Sequence, residues 1–219
     1  MTGINCLWGV ADVYVTPITD LTESQKDIQK HYSKDVRYEI RRAERENISY
    51  RIYDRLNTHT DAVFIREIAQ KYFNFCDSIG QSALKSNLKQ NEFLKLIIQG
   101  NLVVSKAEFE NGWIYHMYQT DGMNAMLWFS FSDYREKGVN KSLAGWANRG
   151  LHDHDIMYFR EQGYRRYDWG NIASRDEPNN IDKFKMSFGG ELKEVYCCFV
   201  GNTTKGKFLL WLNSLRHRP

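Results

Sequence analysis

Three strand-like segments follow one another in the middle of the chain, over residues 102–109, 113–119 and 123–131. The breaks between them are short. Residues 110–112 end in glycine, and Asp121-Gly122 is a strong signal for a tight hairpin. Because short connections join strands that run in opposite directions, this stretch predicts an antiparallel meander.

A helical segment and another strand come directly after the meander. Residues 148–162 have a helical pattern closed by Gly163, and residues 165–169 have a strand pattern. A helix that crosses between two strands normally makes them parallel neighbours. We therefore predict one parallel pair within a mainly antiparallel sheet. Where that pair splays, beside the start of the crossover helix, a ligand-binding cleft should open.

The rest of the pattern predicts helices on both faces of the sheet, which gives an α/β (α+β) fold. Thr22 followed by Gln25 is an N-terminal capping signature, and it opens a polar helix that we expect to continue to Glu46. One apolar stripe of this helix should face the core, formed by Ile28, Tyr32, Val36 and Ile40. The remaining predicted strands are 4–15, 49–54 and 192–200, and the remaining predicted helices are 61–75, 91–99, 180–188 and 208–215.

Length and composition fit a single domain over residues 1–219, since the chain shows no repeat, linker or low-complexity segment. The net charge of +3 is too small by itself to indicate nucleic-acid binding. No apolar run approaches the roughly 18 residues of a membrane span. A signal peptide begins with a basic region, whereas the first basic residue of this chain is Lys26. The four cysteines lack metal-site spacing. We expect a cytoplasmic protein with reduced thiols and no metal, in an oligomeric state that is left open.

The segment before the predicted crossover helix is a candidate anion site. Residues 132–150 contain three glycines and four basic side chains, and the amides at a helix N-terminus attract negative charge. Within this segment, Arg135, Gly138 and Asn140 form the pattern R-x-x-G-x-N, which is close to an R/Q-x-x-G-x-G/A pyrophosphate loop. Asn140 departs from that pattern, and a flexible surface loop is the alternative interpretation.

His152 and Asp168 are the titratable side chains placed best for chemistry. On a helix, His152 and His154 lie about 200° apart, so they cannot share one metal ion. His152 is either a buried, hydrogen-bonded histidine or a general base, since it shares a helix face with apolar residues. Asp168 ends a strand within Tyr167-Asp168-Trp169-Gly170, where it either lines the cleft or serves as a turn carboxylate.

Other basic side chains have weaker claims to a site. Lys183 and Lys185 are two residues apart on a short predicted helix, so at most one of them should point into the cleft, and a solvated face is the alternative. A basic stripe on the first helix alternates with acidic residues and is interpreted as a salt-bridged solvent face. Its members are Lys34, Arg37, Arg41 and Arg45.

Residues 146–188 resemble the C-terminal signature of Fem-type proteins in the GNAT superfamily of acyl-CoA N-acyltransferases. That signature runs a-N-x-x-L-h, a helix ending in G-y, then y-D-x-G, a loop, and F-K-x-x-F-G. A less specific resemblance to the family's early R-x-x-I-r-x-A segment involves Arg37, Ile40, Arg42 and Ala43. The residues that match the main signature are Asn148, Leu151, His152, Gly163, Tyr167, Asp168, Gly170, Phe184, Lys185, Phe188 and Gly189.

The resemblance implies an enzyme that moves an acyl group, most simply acetyl, from acetyl-CoA or another acyl-CoA to the amine of a small acceptor such as an amino sugar. Asp168 or His152 would be the general base, and Tyr167, Trp169 and Lys185 would contact the acceptor. The donor would lie in the cleft. Its contacts would come from the backbone around Phe129 and Ser130, and from Arg135, Gly138, Asn140, Lys141, Asn148 and Arg149.

Two other functions stay open. Fem ligases carry two GNAT-like domains and use aminoacyl-tRNA, whereas this chain has room for one such domain. An aminoacyl-tRNA-dependent transferase would use the basic stripe of the first helix for the acceptor stem, and its activity would depend steeply on salt. A ligand-binding module of the same fold, without turnover, is the other candidate, because no residue here is an unambiguous nucleophile.

Overall fold

One mixed sheet forms the centre of the computed structural model, which describes residues 9–56, 62–80 and 95–216. The strands are β1 (Gly9–Asp20), β2 (Ser49–Tyr53), β3 (Leu102–Phe109), β4 (Gly112–Thr120), β5 (Asn124–Ser132), β6 (Arg166–Asp168) and β7 (Glu191–Val200). Within the described residues their order across the sheet is β2-β3-β4-β5-β6-β1-β7. Every neighbouring pair is antiparallel except β5 and β6, which run parallel.

Helices cover both faces of this sheet, which confirms the predicted fold class. They are α1 (Gln25–His31), α2 (Lys34–Ala43), α3 (Ala62–Ser78), α4 (Lys141–Glu161), α5 (Asn180–Met186) and α6 (Thr204–Arg216), and residues 95–98 add a helical turn. On one face, α3 packs on alternate strand residues such as Val104 and Met117. On the other face, α1, α2 and α4 pack on the intervening residues, such as Val103 and Tyr118.

The predicted parallel pair forms and then parts. β5 and β6 are paired over a short register that ends with Met126 opposite Asp168, and β5 continues beyond it. The register between β4 and β5 shifts at the next residues, so that Trp128 is an extra, bulged residue. Gly170 follows β6 with a φ of +71°, and a Cβ there would lie 2.8 Å from the Leu127 carbonyl oxygen. Only glycine fits this close approach.

The first predicted helix is in fact two helices. Tyr32 has an extended backbone with a ψ of 139°, and Ser33 caps the first turn of α2. The Ser33 amide donates to the Ser187 carbonyl oxygen at 2.8 Å, so a contact with a distant segment replaces a helical hydrogen bond. The cap of α1 is Ser24 rather than Thr22. The prediction of one continuous helix is wrong, although its apolar stripe is buried along both helices.

The crossover helix α4 begins at Lys141, earlier than the predicted start at Asn148. Its N-cap is Asn140, whose side chain accepts hydrogen bonds from amides of the first turn. The expectation of a loop over residues 132–150 is therefore wrong in its second half, where two glycines within the helix favoured a loop. Lys141, Asn148 and the residues between them are helical.

Most of the other elements lie close to their predicted bounds, but β1 continues to Asp20, beyond its predicted end at residue 15. The meander is confirmed, and its second hairpin has three residues, 121–123, between the strands. The last helix begins at Thr204, earlier than predicted. No described helix has both the length and the apolar character that crossing a bilayer requires. The predictions that fall on residues 4–8, 61 and 91–94 lie outside the described residues.

Gly150 lies where α4 packs tightly against its neighbours. A Cβ there would overlap the Tyr50 hydroxyl oxygen and lie 3.1 Å from the Ala43 Cβ. We expect Gly150→Ala to lower the free energy of unfolding by about 1–3 kcal/mol, because overpacking outweighs the better helix propensity of alanine. Gly145→Ala in the same helix meets only Arg149 Nη1, at 3.9 Å, and should be neutral or gain up to about 1 kcal/mol. Chemical denaturation of both variants measures this, and equal effects would contradict it.

Candidate functional site

A cleft opens where β5 and β6 part, between β5, α4 and α5. Two adjoining cavities make up this cleft: the inner cavity has a volume of about 440 Å³ and the outer cavity about 480 Å³. The cleft predicted beside the crossover helix is therefore present. Both cavities are lined by Ser130, Asn148, Ile181 and Phe184; the inner cavity adds Leu127, Trp128, His152 and Lys185, and the outer cavity adds residues that include Arg135 and Arg149.

A fully buried carboxylate, Asp155 of α4, lies in the core between that helix and the sheet. Its Oδ2 accepts hydrogen bonds from the Ser105 hydroxyl (2.8 Å), from His116 Nδ1 (2.8 Å) and from the Tyr118 hydroxyl (2.5 Å). Burial by itself would raise the pKa of Asp155, but the hydrogen bonds around it, led by that from His116, hold this pKa below its ordinary value. Asp155 is therefore an ionised carboxylate in the core.

Two arms of hydrogen bonds run from this carboxylate to the wall of the inner cavity. In the first arm, His116 Nε2 lies 2.9 Å from Oδ1 of Asn148. In the second arm, the Tyr118 hydroxyl lies 2.8 Å from the Tyr167 hydroxyl, which lies 2.8 Å from His152 Nδ1. Asn148 and His152 both line the cavity. One buried charge thus fixes the positions of two side chains that face the cleft.

His152 is held tightly in this wall. His152 is only 1% exposed, and its ring stacks on the His116 ring with a centroid distance of 4.0 Å. The pKa of His152 lies well below its usual range, chiefly because burial penalises the charged form, and the nearby charges of His116 and Lys185 add to this effect. The neutral ring uses Nδ1 for Tyr167, so Nε2 is the nitrogen left for a ligand in the inner cavity.

His116, His152 and Asp155 also offer ligand atoms that lie within 4.8 Å of one another, which is the composition of a metal site. The two rings are stacked with an angle of 28° between their planes, so their in-plane lone pairs run side by side rather than converge. Three donors already occupy Oδ2 of Asp155. These three residues therefore have the geometry of a hydrogen-bond network and not that of a metal site.

His154 stacks on Tyr50 at 5.3 Å, away from His152, as the helical spacing predicts.

Lys185 reaches the inner cavity from α5, whereas Lys183 is exposed. The Lys185 ammonium donates to the carbonyl oxygens of Gly170 (3.2 Å) and Asn171 (2.7 Å), which follow β6. Burial lowers the pKa of Lys185, and nearby carboxylates such as Asp182 offset only part of that effect. The prediction that at most one of the two lysines points into the cleft is confirmed.

Asp168 lies on the opposite face of the sheet from this cleft. Alternation along β6 directs Tyr167 towards α4 and Asp168 away from it, and Asp168 lines a separate cavity with Met126. Its Oδ1 accepts hydrogen bonds from the Gly170 amide (2.8 Å) and from the Thr16 hydroxyl. The expectation that Asp168 lines the cleft is wrong, and its contacts are those of a turn carboxylate. The geometric argument for Asp168 as the general base is therefore lost.

Tyr167 and Trp169, which the resemblance assigns to the acceptor, are both fully buried. Tyr167 belongs to the second arm of the network. The Trp169 indole nitrogen donates to the Thr19 hydroxyl at 3.0 Å, and its ring packs against His152 at 4.8 Å. These two aromatic residues support the cavity wall from behind and do not form its surface.

Four of the predicted donor-binding residues line the outer cavity: Ser130, Arg135, Asn148 and Arg149. Arg149 is held there by an ion pair with Glu39 of α2 (2.8 Å) and by packing over the Phe184 ring at 5.0 Å. The outer cavity therefore presents two guanidinium groups, of which that of Arg149 is already paired, beside the acidic residues Asp133 and Glu136.

Other predicted donor contacts point elsewhere. The Phe129 ring packs against Tyr72 on the opposite face of the sheet at 5.3 Å, so this residue offers only its backbone to the cleft. Gly138 lies in the loop before α4 with a φ of +95°. The Lys141 ammonium lies 5.7 Å from the Tyr134 ring. Neither Gly138 nor Lys141 forms part of the described wall of either cavity.

Asn140, which departs from the pyrophosphate pattern, uses its side chain on the helix itself. Its Oδ1 accepts hydrogen bonds from the amides of Ser142 (3.1 Å) and Leu143 (3.2 Å). A phosphate at a helix N-terminus uses these same first-turn amides. The cap therefore competes with a pyrophosphate at this end of α4.

Sequence reasoning does not find the buried half of the network. Ser105, His116 and Tyr118 stand on β3 and β4 among apolar neighbours, and polar residues at inward-facing strand positions are the signal that identifies them. The signal for Asp155 is its helical spacing from His152, which puts both on one face of α4.

Comparisons with known proteins establish a fold but no family. No family model matches the chain, and no curated protein matches it. Among solved structures, FemX matches with a TM-score of 0.59 at 12% identity, over 83% of this chain and 61% of FemX. The C-terminal DUF2156 domain of a putative lysylphosphatidylglycerol synthetase from Agrobacterium fabrum gives a TM-score of 0.56 at 11% identity, over 95% of this chain and 67% of that one. L-PGS from Bacillus licheniformis gives 0.51 at 12% identity, over 97% and 68%. The chain shares the mixed α/β fold of these proteins.

Removal of the Asp155 charge tests how much the network stabilises the fold. Asp155→Asn turns an amide NH₂ towards hydrogen-bond donors and leaves His116 without its carboxylate. We expect the free energy of unfolding to fall by about 3–5 kcal/mol, the range for breaking a buried charged pair. Asp153→Asn is the matched control on the same helix, where the carboxylate accepts a hydrogen bond from Gln29 at 3.1 Å, and it should cost about 1 kcal/mol. A loss at Asp155 no larger than at Asp153, measured by denaturation, would contradict the network.

Proposed function

We propose that the protein is an acyltransferase that moves an acyl group from an activated donor to an amine in the inner cavity. The observation that carries the proposal is the position of His152, a neutral imidazole tied to a buried carboxylate in the wall of the cleft. The shared fold supports it. FemX has a similar mixed fold, and so does the DUF2156 domain of the putative lysylphosphatidylglycerol synthetase.

The chemistry of such a transfer needs few protein groups. The amine nitrogen attacks the acyl carbon and forms the C–N bond, and the bond from that carbon to the carrier breaks, with its electron pair leaving on the carrier. The attacking nitrogen must lose a proton, which His152 Nε2 would accept. Backbone amides of β5 beyond the bulge would orient the carbonyl oxygen. Lys185 would hold an anionic part of the acceptor or a phosphate of the donor.

The simplest donor is an acyl-CoA, and acetyl-CoA is the first to test. Its pantetheine chain would lie along the part of β5 that β6 leaves open. Arg135 and Arg149 in the outer cavity would meet its phosphates. The acceptor would be a small amine, such as that of an amino sugar, and the reaction would take place in the cytoplasm without a metal.

An aminoacyl-tRNA donor of the Fem type is the second candidate, and one observation favours it. Asn140 occupies two amides of α4 that a CoA pyrophosphate would use. An aminoacyl ester on a tRNA has no pyrophosphate to place there. Its acceptor stem would meet the exposed side chains of Lys34, Arg41 and Arg45 on α2 and just after it, and binding would weaken steeply with salt.

Thermal shift with the two donors separates these candidates. We expect acetyl-CoA to raise the melting temperature of the wild type. The shift that acetyl-CoA causes should be larger in Asn140→Gly than in the wild type. Glycine frees two first-turn amides for the pyrophosphate and weakens the cap by only about a few tenths of a kcal/mol. Stabilisation by aminoacyl-tRNA with none by acetyl-CoA, in both proteins, would assign the Fem-type donor. No shift with either donor would contradict the proposed transfer and favour a binding module.

In turnover assays, we expect His152→Gln to lower kcat by about 10²–10⁴-fold with little change in donor affinity. Glutamine keeps a polar side chain of similar reach but cannot take the proton. Lys183→Gln is the matched control, because it removes an exposed cation of α5 outside the cavity and should leave kcat within about twofold. Steady-state kinetics with acetyl-CoA and a panel of small amines measures both. A normal kcat in His152→Gln would show that solvent takes the proton.

A further inference from the structure

The hydrogen atoms of the second arm can be assigned one by one, because each group in it has a fixed number of hydrogens to donate. The ionised Asp155 carboxylate only accepts. The Tyr118 hydroxyl lies 2.5 Å from Asp155 Oδ2 and 3.2 Å from His116 Nδ1. Its one hydrogen therefore points to the carboxylate, which is both the closer and the charged acceptor.

The next two groups follow from the first. Since the Tyr118 hydrogen is used, its oxygen can only accept, and the Tyr167 hydroxyl donates to it across 2.8 Å. The Tyr167 oxygen is then an acceptor as well, so the Nδ1 of His152, 2.8 Å away, must carry a hydrogen. A neutral imidazole has one N–H, so its other nitrogen carries the lone pair.

We infer that Asp155, Tyr118 and Tyr167 form a one-directional hydrogen-bond relay that holds His152 as the Nδ1–H tautomer, with the lone pair of Nε2 available to the inner cavity. These three are positioning residues, because they lie behind the wall and act through His152. Their role rests on the proposed function, in which the amine nitrogen bonds to the acyl carbon and its proton passes to Nε2. The tautomer itself does not depend on that function.

The surroundings keep every member of the relay in the required state. Burial raises the pKa of both Tyr118 and Tyr167 far above the usual value, so each remains a phenol with a hydrogen to donate. The His152 ring cannot turn freely, because it is packed between the rings of His116 (4.0 Å) and Trp169 (4.8 Å). Packing therefore sets the direction of the ring, and the relay sets which nitrogen carries the hydrogen.

Ring ¹⁵N chemical shifts of histidine distinguish the tautomers and need no substrate. In the full chain with ¹⁵N-labelled histidine, we expect the His152 ring to be in the Nδ1–H form, and its signals are identified because they vanish in His152→Gln. In Tyr118→Phe the Tyr167 hydroxyl loses its acceptor and turns to donate to Nδ1, so His152 should switch to the Nε2–H form. In Tyr167→Phe the ring loses its partner, and the Nδ1–H form should no longer be held.

Tyr158→Phe is the matched control. It removes a hydroxyl of α4 that also lies 2.5 Å from a carboxylate, that of Asp54, but lies outside the relay, so the His152 tautomer should not change. A wild-type His152 with its hydrogen on Nε2 would overturn the inference, and so would an unchanged tautomer in Tyr118→Phe. If acyl transfer is measured, Tyr118→Phe should lower kcat with little change in KM, and an unchanged kcat would overturn the positioning role. The expected tautomers in a protein that transfers no acyl group would overturn the proposed function alone.

Discussion

The charge of Asp155 determines how the cleft is built. An unpaired carboxylate with 0% exposure would cost several kcal/mol, so the fold must supply it with donors. β3 supplies the Ser105 hydroxyl and β4 supplies two further donors, which together fix how α4 lies on the sheet. Asn148 and His152 share a helix face with Asp155, so the same contacts bring both of them to the cavity wall.

The parting of β5 and β6 is stabilised by the residues that border it. The bulge at Trp128 interrupts the regular pairing of β5, and the glycine at 170 lets the chain that follows β6 pass close to the Leu127 carbonyl. The carbonyl oxygens of Gly170 and Asn171 accept hydrogen bonds from Lys185 instead of from a strand. Lys185 therefore satisfies two backbone carbonyl groups just after β6 and also places a cation in the cleft. Its loss would affect both the fold and the site.

Local patterns predict the meander, the crossover helix and the cleft, because alternation and turn residues act over a few positions. Features that depend on distant partners escape such patterns. The break at Ser33 needs the Ser187 carbonyl, and the start of α4 at Lys141 is masked by glycines that its packing accommodates. The same limit holds at the site. The sequence offers both Asp168 and His152 as the general base, and the alternation of a three-residue strand turns Asp168 away from the cleft.

The inner cavity disfavours positive charge, and this bears on the proposed acceptor. Burial and neighbouring cations lower the pKa of His152, and burial lowers that of Lys185. An amine bound beside them would meet the same burial and the same cations, so its own pKa would fall and more of it would be the neutral nucleophile. The cavity would then remove the first proton through its environment, and His152 would take the second as the C–N bond forms. The cations of the cavity would repel a positively charged amine. An acceptor that also carries a negative group near Lys185 would offset this repulsion and fit the cavity best.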